Sequence, residues 1–168
     1  MNHVFVREDG SHQTPPDTAS SERPNYVTPA GLAQLRARQQ AARARHAALE
    51  HADTAPSQEG ELALLERQIR WLDQRVGSAI EVDLMQQPRD RVAFGATVTV
   101  GSREGERRWQ IVGEDEADVE HGRVSYCSPL AQALLGASVG DEVLWPRPAG
   151  DLSIEVLSID YLTPDDLG

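Results

Sequence analysis

The spacing of apolar residues changes once along the chain, between Met85 and Arg89, and this change divides it into two kinds of structure. Upstream, apolar residues recur at intervals of three and four, the period of a helix with one buried face. Downstream the period is two, which is typical of strands with one buried face. The pattern predicts an α+β chain in which a helical unit precedes a sheet domain.

The upstream unit is predicted to be a helical hairpin. Thr28 is a good N-cap and Pro29 suits the first helical position, so one helix is expected to extend from there to about Ala52. Residues 53–60 indicate a turn, and a second helix is expected to end near Gly77. Two helices joined by a short connection predict an antiparallel coiled coil.

Each helix carries an apolar seam at heptad spacing. The seam of the first helix consists of Leu32, Leu35, Gln39, Ala42, His46 and Leu49. The seam of the second helix consists of Leu62, Leu65, Ile69, Leu72 and Val76. Since Gln39, Ala42 and His46 fill three consecutive core positions, the first seam is weak. We expect His46 to be a partly exposed seam residue near the tip of the hairpin.

The downstream unit is predicted to be an antiparallel sheet domain with one short helix. Strands are expected over residues 92–100, 108–113, 122–126, 141–145 and 152–161. Ser128 and Pro129 are expected to cap a short helix that spans residues 130–135 and stops at Gly136.

These patterns divide the chain into five segments. We expect a disordered tail over residues 1–25, the hairpin over 26–83, a linker over 84–90, the sheet domain over 91–163 and a tail over 164–168. Charge supports two modules with different surfaces, because residues 29–78 have a net charge of +1 and residues 89–168 a net charge of −8.

Composition excludes several classes of function. A formal charge of −11 disfavours direct, stable binding to nucleic acid. All sixteen basic residues are arginine, which excludes a lysine nucleophile and the lysine of a phosphate-binding P-loop. The single cysteine, Cys127, excludes a disulfide framework. The chain has no apolar run of membrane-spanning length and no signal-peptide layout, so we expect a soluble, cytoplasmic protein that does not bind membranes.

Several runs of sequence are specific enough to compare with known families. They are residues 25–35 (NYVTPAGLAQL), 67–72 (RQIRWL), 80–83 (IEVD), 92–98 (VAFGATV), 111–118 (IVGEDEAD), 128–136 (SPLAQALLG) and 139–141 (VGD). Together they resemble the Gre-factor family of bacterial transcription elongation factors, closer to GreB than to GreA. The resemblance covers about residues 25–163 and is strongest in the C-terminal part.

The resemblance implies a fold, a partner and a chemistry. Gre factors have an FKBP-like C-terminal domain and a helical hairpin that enters the secondary channel of RNA polymerase. At the hairpin tip, two acids in a D-x-x-E pattern help to hold a second magnesium ion, and the polymerase then cleaves its own backtracked transcript. Magnesium prefers hard oxygen ligands at about 2.0–2.1 Å, so this chemistry requires correctly placed carboxylates.

The tip departs from the family pattern. Aligned without gaps from Ile69, the two acids fall on Ala48 and His51, whereas aligned from Thr28 the first falls near Leu62. The two counts differ by 14 residues, so the hairpin is shorter by about one heptad, or roughly 10 Å, in each arm.

Acids are still present near the tip of the hairpin. They are Asp53, Glu59 and Glu61, and none stands in a D-x-x-E pattern. They can be interpreted as helix-capping acids or as relocated metal ligands.

Two further groups of residues are candidates for contact with the polymerase. The first helix carries a basic stripe formed by Arg36, Arg38, Arg43 and Arg45, which is either a solvated face or a surface for the transcript or the channel lining. The resemblance also places the loop Cys127, Ser128 and Pro129 at the channel rim. There Cys127 stands where GreB-like members often have aspartate, which should weaken an ion pair with the rim.

Four functions are considered for a chain with these features. The favoured one is a monomeric, non-catalytic regulator that binds the secondary channel of RNA polymerase and its rim, stimulates cleavage weakly or not at all, and needs no metal or cofactor. The alternative is a genuine cleavage factor whose tip acids help to hold magnesium in the polymerase active site. A prolyl isomerase would need an aromatic-lined pocket, for which the C-terminal domain offers Phe94, Trp109, Tyr126, Trp145 and Tyr161. A generic protein-binding hairpin has no specific feature in its favour.

Overall fold

A computed structural model of the chain describes residues 21–52 and 56–162, without the side chains of residues 56 and 57. Most of the predicted N-terminal tail, the predicted tail over residues 164–168 and the tip residue Asp53 lie outside these ranges. Within the described part, no helix is both long enough and apolar enough to cross a membrane.

The predicted hairpin consists of two helices of equal length. Helix α1 spans Pro29–His51 and helix α2 spans Pro56–Ser78, 23 residues or about 35 Å each. Thr28 caps α1 as predicted, because its hydroxyl accepts a hydrogen bond from the Gly31 amide at 3.0 Å. The prediction of a turn throughout residues 53–60 was wrong, since α2 begins at Pro56. A proline is well tolerated at a first helical position, so it starts this helix instead of breaking it.

The two helices pack along the predicted seam. Leu32, Leu35, Ala42 and Leu72 are buried there, and Val27 joins them at the base of the hairpin. Partly buried side chains that pack against these five include Leu65, Ile69, Trp71 and Val76. The weak position Gln39 is compensated by a hydrogen bond, because its amide donates to Asp73 at 2.7 Å across the two arms.

A short pair of strands at the base of the hairpin was missed by the sequence analysis. Strand β1 (Tyr26–Val27) runs parallel to β2 (Ile80–Glu81), with Tyr26 opposite Ile80. Two-residue strands carry too little periodicity to be recognised from sequence. The pair joins the two ends of the hairpin at the point where the sheet domain begins.

The sheet domain contains five strands and one short helix. The strands are β3 (Thr97–Ser102), β4 (Gly105–Val112), β5 (Arg123–Ser125), β6 (Glu142–Trp145) and β7 (Leu152–Asp160), in the order β5-β4-β3-β7-β6. Helix α3 spans Pro129–Leu134 and begins at the predicted cap Ser128.

The α+β class and its two units are confirmed, but the sheet is mixed. All neighbouring strands are antiparallel except β4 and β5, which are parallel. The connection between these two strands contains two short 3-10 turns, Glu114–Glu116 and Val119–His121. It brings β5 alongside the last three residues of β4, with Arg123 opposite Gln110. A tight hairpin would have made the pair antiparallel, whereas a crossover permits a parallel one.

One face of the sheet forms the main core with α3. Its buried residues include Val98, Ile111, Leu134, Ile154 and Val156. The segment predicted as a linker also contributes to this core. It contains a 3-10 turn, Leu84–Gln86, whose Leu84 is buried in the same cluster. The sheet domain therefore has a continuous core of its own, while the hairpin depends on a narrow seam.

Candidate functional site

Of the three acids predicted for the hairpin tip, the structure describes Glu59 and Glu61. Asp53 lies outside the described residues. Glu59 is exposed in the first turn of α2, and Glu61 accepts an ion-paired hydrogen bond from Arg45 Nε at 3.0 Å. Among the residues that the structure describes, no three His, Cys, Asp or Glu side chains are grouped to hold a metal ion.

The four arginines of the predicted basic stripe form two rows. Arg36 and Arg43 are seven residues apart, as are Arg38 and Arg45, and the two pairs flank the buried seam of α1 on opposite sides. Arg36 is exposed and has no hydrogen-bond or ion-pair partner among the described residues.

Three of these arginines contact α2. Arg43 binds Asp73 at 2.6 Å, Arg45 binds Glu61, and the guanidinium of Arg38 lies 5.4 Å from the centre of the Trp71 ring. Such pairs at the flanks of a coiled coil fix the orientation of its helices. Most of this positive charge is therefore shared with α2, and only Arg36 projects free of such contacts within the described part of the chain.

The predicted contact loop lies where α3 begins. Ser128 caps α3 by accepting a hydrogen bond from the Ala131 amide at 3.2 Å, and Pro129 occupies the first helical position. The half-buried Cys127 thiol donates to Glu114 Oε1 at 3.6 Å. The neighbouring Cys127 raises the pKa of the Arg23 guanidinium above its usual value.

Beside this loop, three aromatic rings connect the base of the hairpin to the sheet domain. Tyr26, Phe94 and Tyr126 lie with ring centres 5.5–5.9 Å apart. The Tyr126 hydroxyl donates to the Pro24 carbonyl at 2.5 Å. Burial first, and then the neighbouring Cys127, raise the pKa of Tyr126 to about 12.

The aromatic side chains considered for an isomerase pocket have other roles. Trp109 and Tyr161 are buried in the sheet core, and Trp145 packs edge-on against Trp109 at 6.1 Å. The Tyr161 hydroxyl donates to the Arg91 carbonyl at 2.9 Å. A small cavity of about 40 Å³ lies between α1 and the sheet domain, and none of its lining residues is aromatic. The described structure thus gives no support to isomerase chemistry.

The contacts that attach the hairpin to the sheet domain, which we call the junction, were not predicted from the sequence. Its first part centres on Arg75 of α2, whose side chain is only 5% exposed. Arg75 Nε lies 2.6 Å from Asp115 Oδ2, and a second guanidinium nitrogen donates to Asn25 Oδ1 at 2.7 Å. Glu114 is a more distant partner at 3.8 Å. The charge of a buried arginine is thereby neutralised by carboxylates of the sheet domain.

The second part of the junction is the Glu116 carboxylate at the start of α1. It accepts hydrogen bonds from the amides of Thr28 at 3.0 Å and Gly113 at 2.9 Å, and from the Thr28 hydroxyl. The N-terminus of a helix favours negative charge. Gly31 leaves the required space, since a Cβ built there would lie 2.0 Å from the Glu116 carboxyl carbon. The signals in the sequence were the three consecutive acids 114–116 and a glycine in the first turn of α1.

The C-terminal half of the chain matches a known protein family. The family model described as "Transcription elongation factor, GreA/GreB, C-term" matches residues 86–161. A transcription elongation factor GreA of Hyphomonas neptunium is 41% identical over 101 residues, which cover 59% of this chain and 64% of that relative. This match thus spans less than two thirds of the relative's length.

Other relatives match over more of the chain. A transcription elongation factor GreA of Brucella canis is 36% identical over 152 residues, which cover 81% of this chain and 97% of that relative. Among solved structures, GreA factor homolog 1 of Thermus thermophilus is 23% identical, with 82% of this chain and 99% of that chain covered and a TM-score of 0.39. A GreA/GreB factor from Nitrosomonas europaea is 22% identical, with 83% and 100% covered and a TM-score of 0.40.

The relatives named here are called GreA, so the predicted closeness to GreB stays a prediction. The identity with the Brucella protein extends over nearly the whole of that relative and therefore includes the hairpin as well as the sheet domain. The chain belongs to the GreA/GreB family of transcription elongation factors.

Proposed function

We propose that this chain binds the secondary channel of RNA polymerase and modulates transcription with weak or no stimulation of transcript cleavage. In this proposal the hairpin enters the channel, and the loop at Cys127, Ser128 and Pro129 contacts its rim. The chain acts as a monomeric accessory factor in the cytoplasm, with no catalytic group or cofactor of its own and no stable nucleic-acid binding. The observation that carries the proposal is a short hairpin without a D-x-x-E pair at its tip.

The lengths of the aligned proteins support a shortened hairpin. The Brucella match extends over 152 residues, but 81% of this 168-residue chain is only about 136 residues. The difference of about 16 positions is close to the 14 residues by which the two gapless counts disagree. A loss of one heptad in each arm withdraws the tip by about 10 Å. Metal coordination tolerates displacements of only about 0.2 Å, so a shorter arm cannot deliver ligands to the same site.

The chemistry of the tip also argues against metal delivery. Glu61 already pairs with Arg45 at 3.0 Å. Glu59 precedes Glu61 by two residues on the same helix, and residues at that spacing do not face each other. These two carboxylates cannot chelate one ion together while α2 remains helical.

The alternative is a genuine cleavage factor that uses relocated acids. The observation in its favour is that, in the sequence, Asp53 stands between the two helices and Glu59 in the first turn of α2, at the end of the hairpin that would enter the channel first. Asp53 together with either glutamate would then have to help the polymerase to hold magnesium.

Transcript cleavage by backtracked polymerase separates the two functions. Stalled complexes are incubated with the protein alone, and then with the protein and an active Gre factor together. A channel-occupying regulator leaves the RNA intact on its own and slows cleavage by the active factor as its concentration rises. A relocated cleavage factor shortens the RNA by itself.

Single variants make the test specific. Under the alternative, Asp53→Asn abolishes cleavage, and so does one of the two variants Glu59→Gln and Glu61→Gln. Asp73→Asn, which changes an acid farther down α2, leaves cleavage intact. Under our proposal, none of these four variants changes the competition by more than about twofold, because exposed charges contribute little energy. Absence of competition together with absence of direct binding to the polymerase would contradict the proposal as a whole.

A further inference from the structure

Three arginines surround a single carboxylate at the turn between β3 and β4. Arg147, from the connection between β6 and β7, donates two parallel hydrogen bonds to Glu104, at 3.0 and 3.1 Å. These hydrogen bonds first, and the nearby charges of Arg103 and Arg107 as well, hold the pKa of Glu104 below its usual value. We call Arg103, Arg107 and Arg147 the arginine cluster. It is a local excess of positive charge in a domain whose residues 89–168 have a net charge of −8.

Tryptophan rings restrict the positions of two members of the cluster. The Arg147 guanidinium lies 5.2 Å from the centre of the Trp145 ring, and the Arg107 guanidinium lies 4.6 Å from the centre of the Trp109 ring. The two rings pack edge to face, with their centres 6.1 Å apart. An arginine over an aromatic face is attracted to the ring and keeps its N–H groups available for hydrogen bonds. Part of the cluster is therefore ordered before any partner binds.

Two of the three arginines have unused hydrogen-bond donors. Arg147 uses its donors within the chain, because it binds both oxygens of Glu104 and its Nε donates to the Gly150 carbonyl at 3.3 Å. Arg103 and Arg107 are exposed, and neither has a hydrogen-bond or ion-pair partner among the described residues. A guanidinium carries five N–H donors in a planar fork that matches a carboxylate. Each of these two side chains can therefore accept a carboxylate from another molecule.

The acid next to Arg107 in β4 does not neutralise it. Glu106 lies opposite Gly101 of β3, whereas Arg107 lies opposite Val100. Since neighbouring side chains of a strand point to opposite faces of the sheet, Glu106 and Arg107 are on different faces. Arg107 shares its face with the two tryptophans.

The surroundings of the cluster favour a protein partner over a nucleic acid. Acids border the cluster on the other face of the sheet, in a groove whose lining includes Arg103, Glu106, Glu142 and Glu155. Acids this close to Arg103 repel a long chain of phosphates. The rings are also not open to stack on bases, because Trp109 is buried and Arg147 covers a face of Trp145. A short segment with a few carboxylates avoids both difficulties.

We propose that Arg103 and Arg107 form a docking surface for an acidic segment of a partner protein. Arg147 is a positioning residue, since it keeps the Glu104 carboxylate engaged and away from the two free guanidinium groups. The surface lies at the start of β4 and the junction follows the end of this strand, about 23 Å away. A segment bound there leaves the hairpin accessible. The inference goes beyond the proposed function and does not depend on binding to polymerase.

Nuclear magnetic resonance of the full, isotope-labelled chain tests this surface. The probe is a short peptide of alternating glutamate and glycine, titrated at low salt while the backbone amides and the arginine Nε–H groups are followed. We expect shifts confined to residues 102–108 and Arg147, which weaken as salt is added. The same peptide with glutamine in place of glutamate should cause none. A single-stranded RNA of equal charge should bind more weakly than the glutamate peptide.

Variants assign the binding to the two free arginines. Arg103→Gln and Arg107→Gln each weaken binding of the glutamate peptide by about three- to tenfold, because each removes a charged hydrogen-bond donor. Arg108→Gln is the matched control, since Arg108 is also exposed but lies opposite Thr99 on the other face of the sheet. It should change binding by less than about twofold. Glu104→Gln removes the competing carboxylate and should tighten binding by about two- to fivefold, which a purely structural role of the cluster would not produce.

Several results would overturn the proposal. One is the absence of shifts at the β3–β4 turn with the glutamate peptide, and another is an equal loss of binding in Arg108→Gln and Arg107→Gln. Tighter binding of the RNA than of the peptide at the same residues would contradict the choice of a protein partner. Weaker binding in Glu104→Gln would show that Glu104 supports the surface and does not compete with the partner.

Discussion

The position of the Glu116 carboxylate explains why a glycine stands in the first turn of α1. The carboxylate accepts three hydrogen bonds at the N-terminus of α1, and the space that it occupies exists because residue 31 has no side chain. Glycine is unfavourable within a helix by about 1 kcal/mol relative to alanine. At this position the cost is offset by hydrogen bonds to a charged group, each of which contributes about 1.5–3 kcal/mol.

Replacing Gly31 with alanine therefore destabilises the protein, although alanine is the better helix former. The new Cβ displaces the Glu116 carboxylate from Thr28 and Gly113, and we expect a net loss of about 1–3 kcal/mol in the free energy of unfolding. Urea titration followed by circular dichroism measures it. Gly60→Ala is the matched control, because a Cβ there meets no atom within 4 Å. It should be neutral or stabilising by up to about 1 kcal/mol. Equal effects of the two variants would contradict this account of Glu116.

Tyr126 makes stability depend on pH in the alkaline range. Its pKa is raised from 10.0 to about 12 by burial first and then by the neighbouring Cys127. Because the folded state retains the proton, the contribution of Tyr126 is fully present below pH 10 and is lost as the pH rises towards 12. Absorbance at an ultraviolet wavelength specific for tyrosinate should show a late step near pH 12 that Tyr126→Phe removes. A late step that persists in this variant would assign it to another tyrosine.

At the scale of elements, the position of a charge decides its energetic value. Arg43 and Arg45 pair with acids of α2 across the flanks of the hairpin, where at least two fifths of each side chain remains exposed. Arg75 pairs with Asp115 in a site where its side chain is only 5% exposed. Exposed pairs contribute about 0–1 kcal/mol, whereas removal of one partner from a buried pair costs about 3–5 kcal/mol.

Arg75→Met is thus expected to be far more damaging than Arg43→Met. Removal of the buried guanidinium leaves Asp115 without its charged partner, and we expect a loss of about 3–5 kcal/mol, against less than about 1 kcal/mol for Arg43→Met. Denaturant unfolding of both variants gives the comparison. The double variant Arg75→Met with Asp115→Asn should recover part of the loss, since the unpaired charge is gone. No recovery would show that Arg75 acts through packing and not through its charge.

In the whole molecule, the sheet domain has a large hydrophobic core and the hairpin attached to it has a small one. Among the described residues, the core cluster of the sheet domain contains sixteen buried residues, whereas the core cluster of the hairpin contains five. An isolated pair of helices with so small a seam is marginal in water. The junction contacts of Arg75 and Glu116 therefore hold the hairpin in a defined direction relative to the sheet domain.

The proposed loss of cleavage stimulation predicts a gain-of-function experiment. Insertion of one heptad in each arm keeps the seam in register and advances the tip by about 10 Å. We expect the lengthened chain to stimulate transcript cleavage only when a D-x-x-E pair is also placed at its tip. The assay is cleavage of RNA in backtracked polymerase complexes, with the lengthened chain lacking the acid pair as the control. An inactive chain with both changes would show that reach and acids do not explain the absence of activity.

The sequence by itself determined the features that depend on neighbouring residues. Thr28 and Pro29 start α1, Ser128 and Pro129 start α3, and apolar spacing separates the hairpin from the sheet, because caps and periodicity act over a few residues. The same local patterns, together with the family motifs, identified the tip residues as the candidate site. They could not show that Glu61 pairs with Arg45, since that pair joins two helices.

Only the tertiary structure decided the contacts between residues that are distant in sequence. It paired Arg75 with Asp115 and Thr28 with Glu116, which are 40 and 88 residues apart. It also set β5 parallel to β4 and placed His46 between two glutamates. Each of these contacts depends on how whole elements pack, and the free energy of that packing is not encoded in any local pattern.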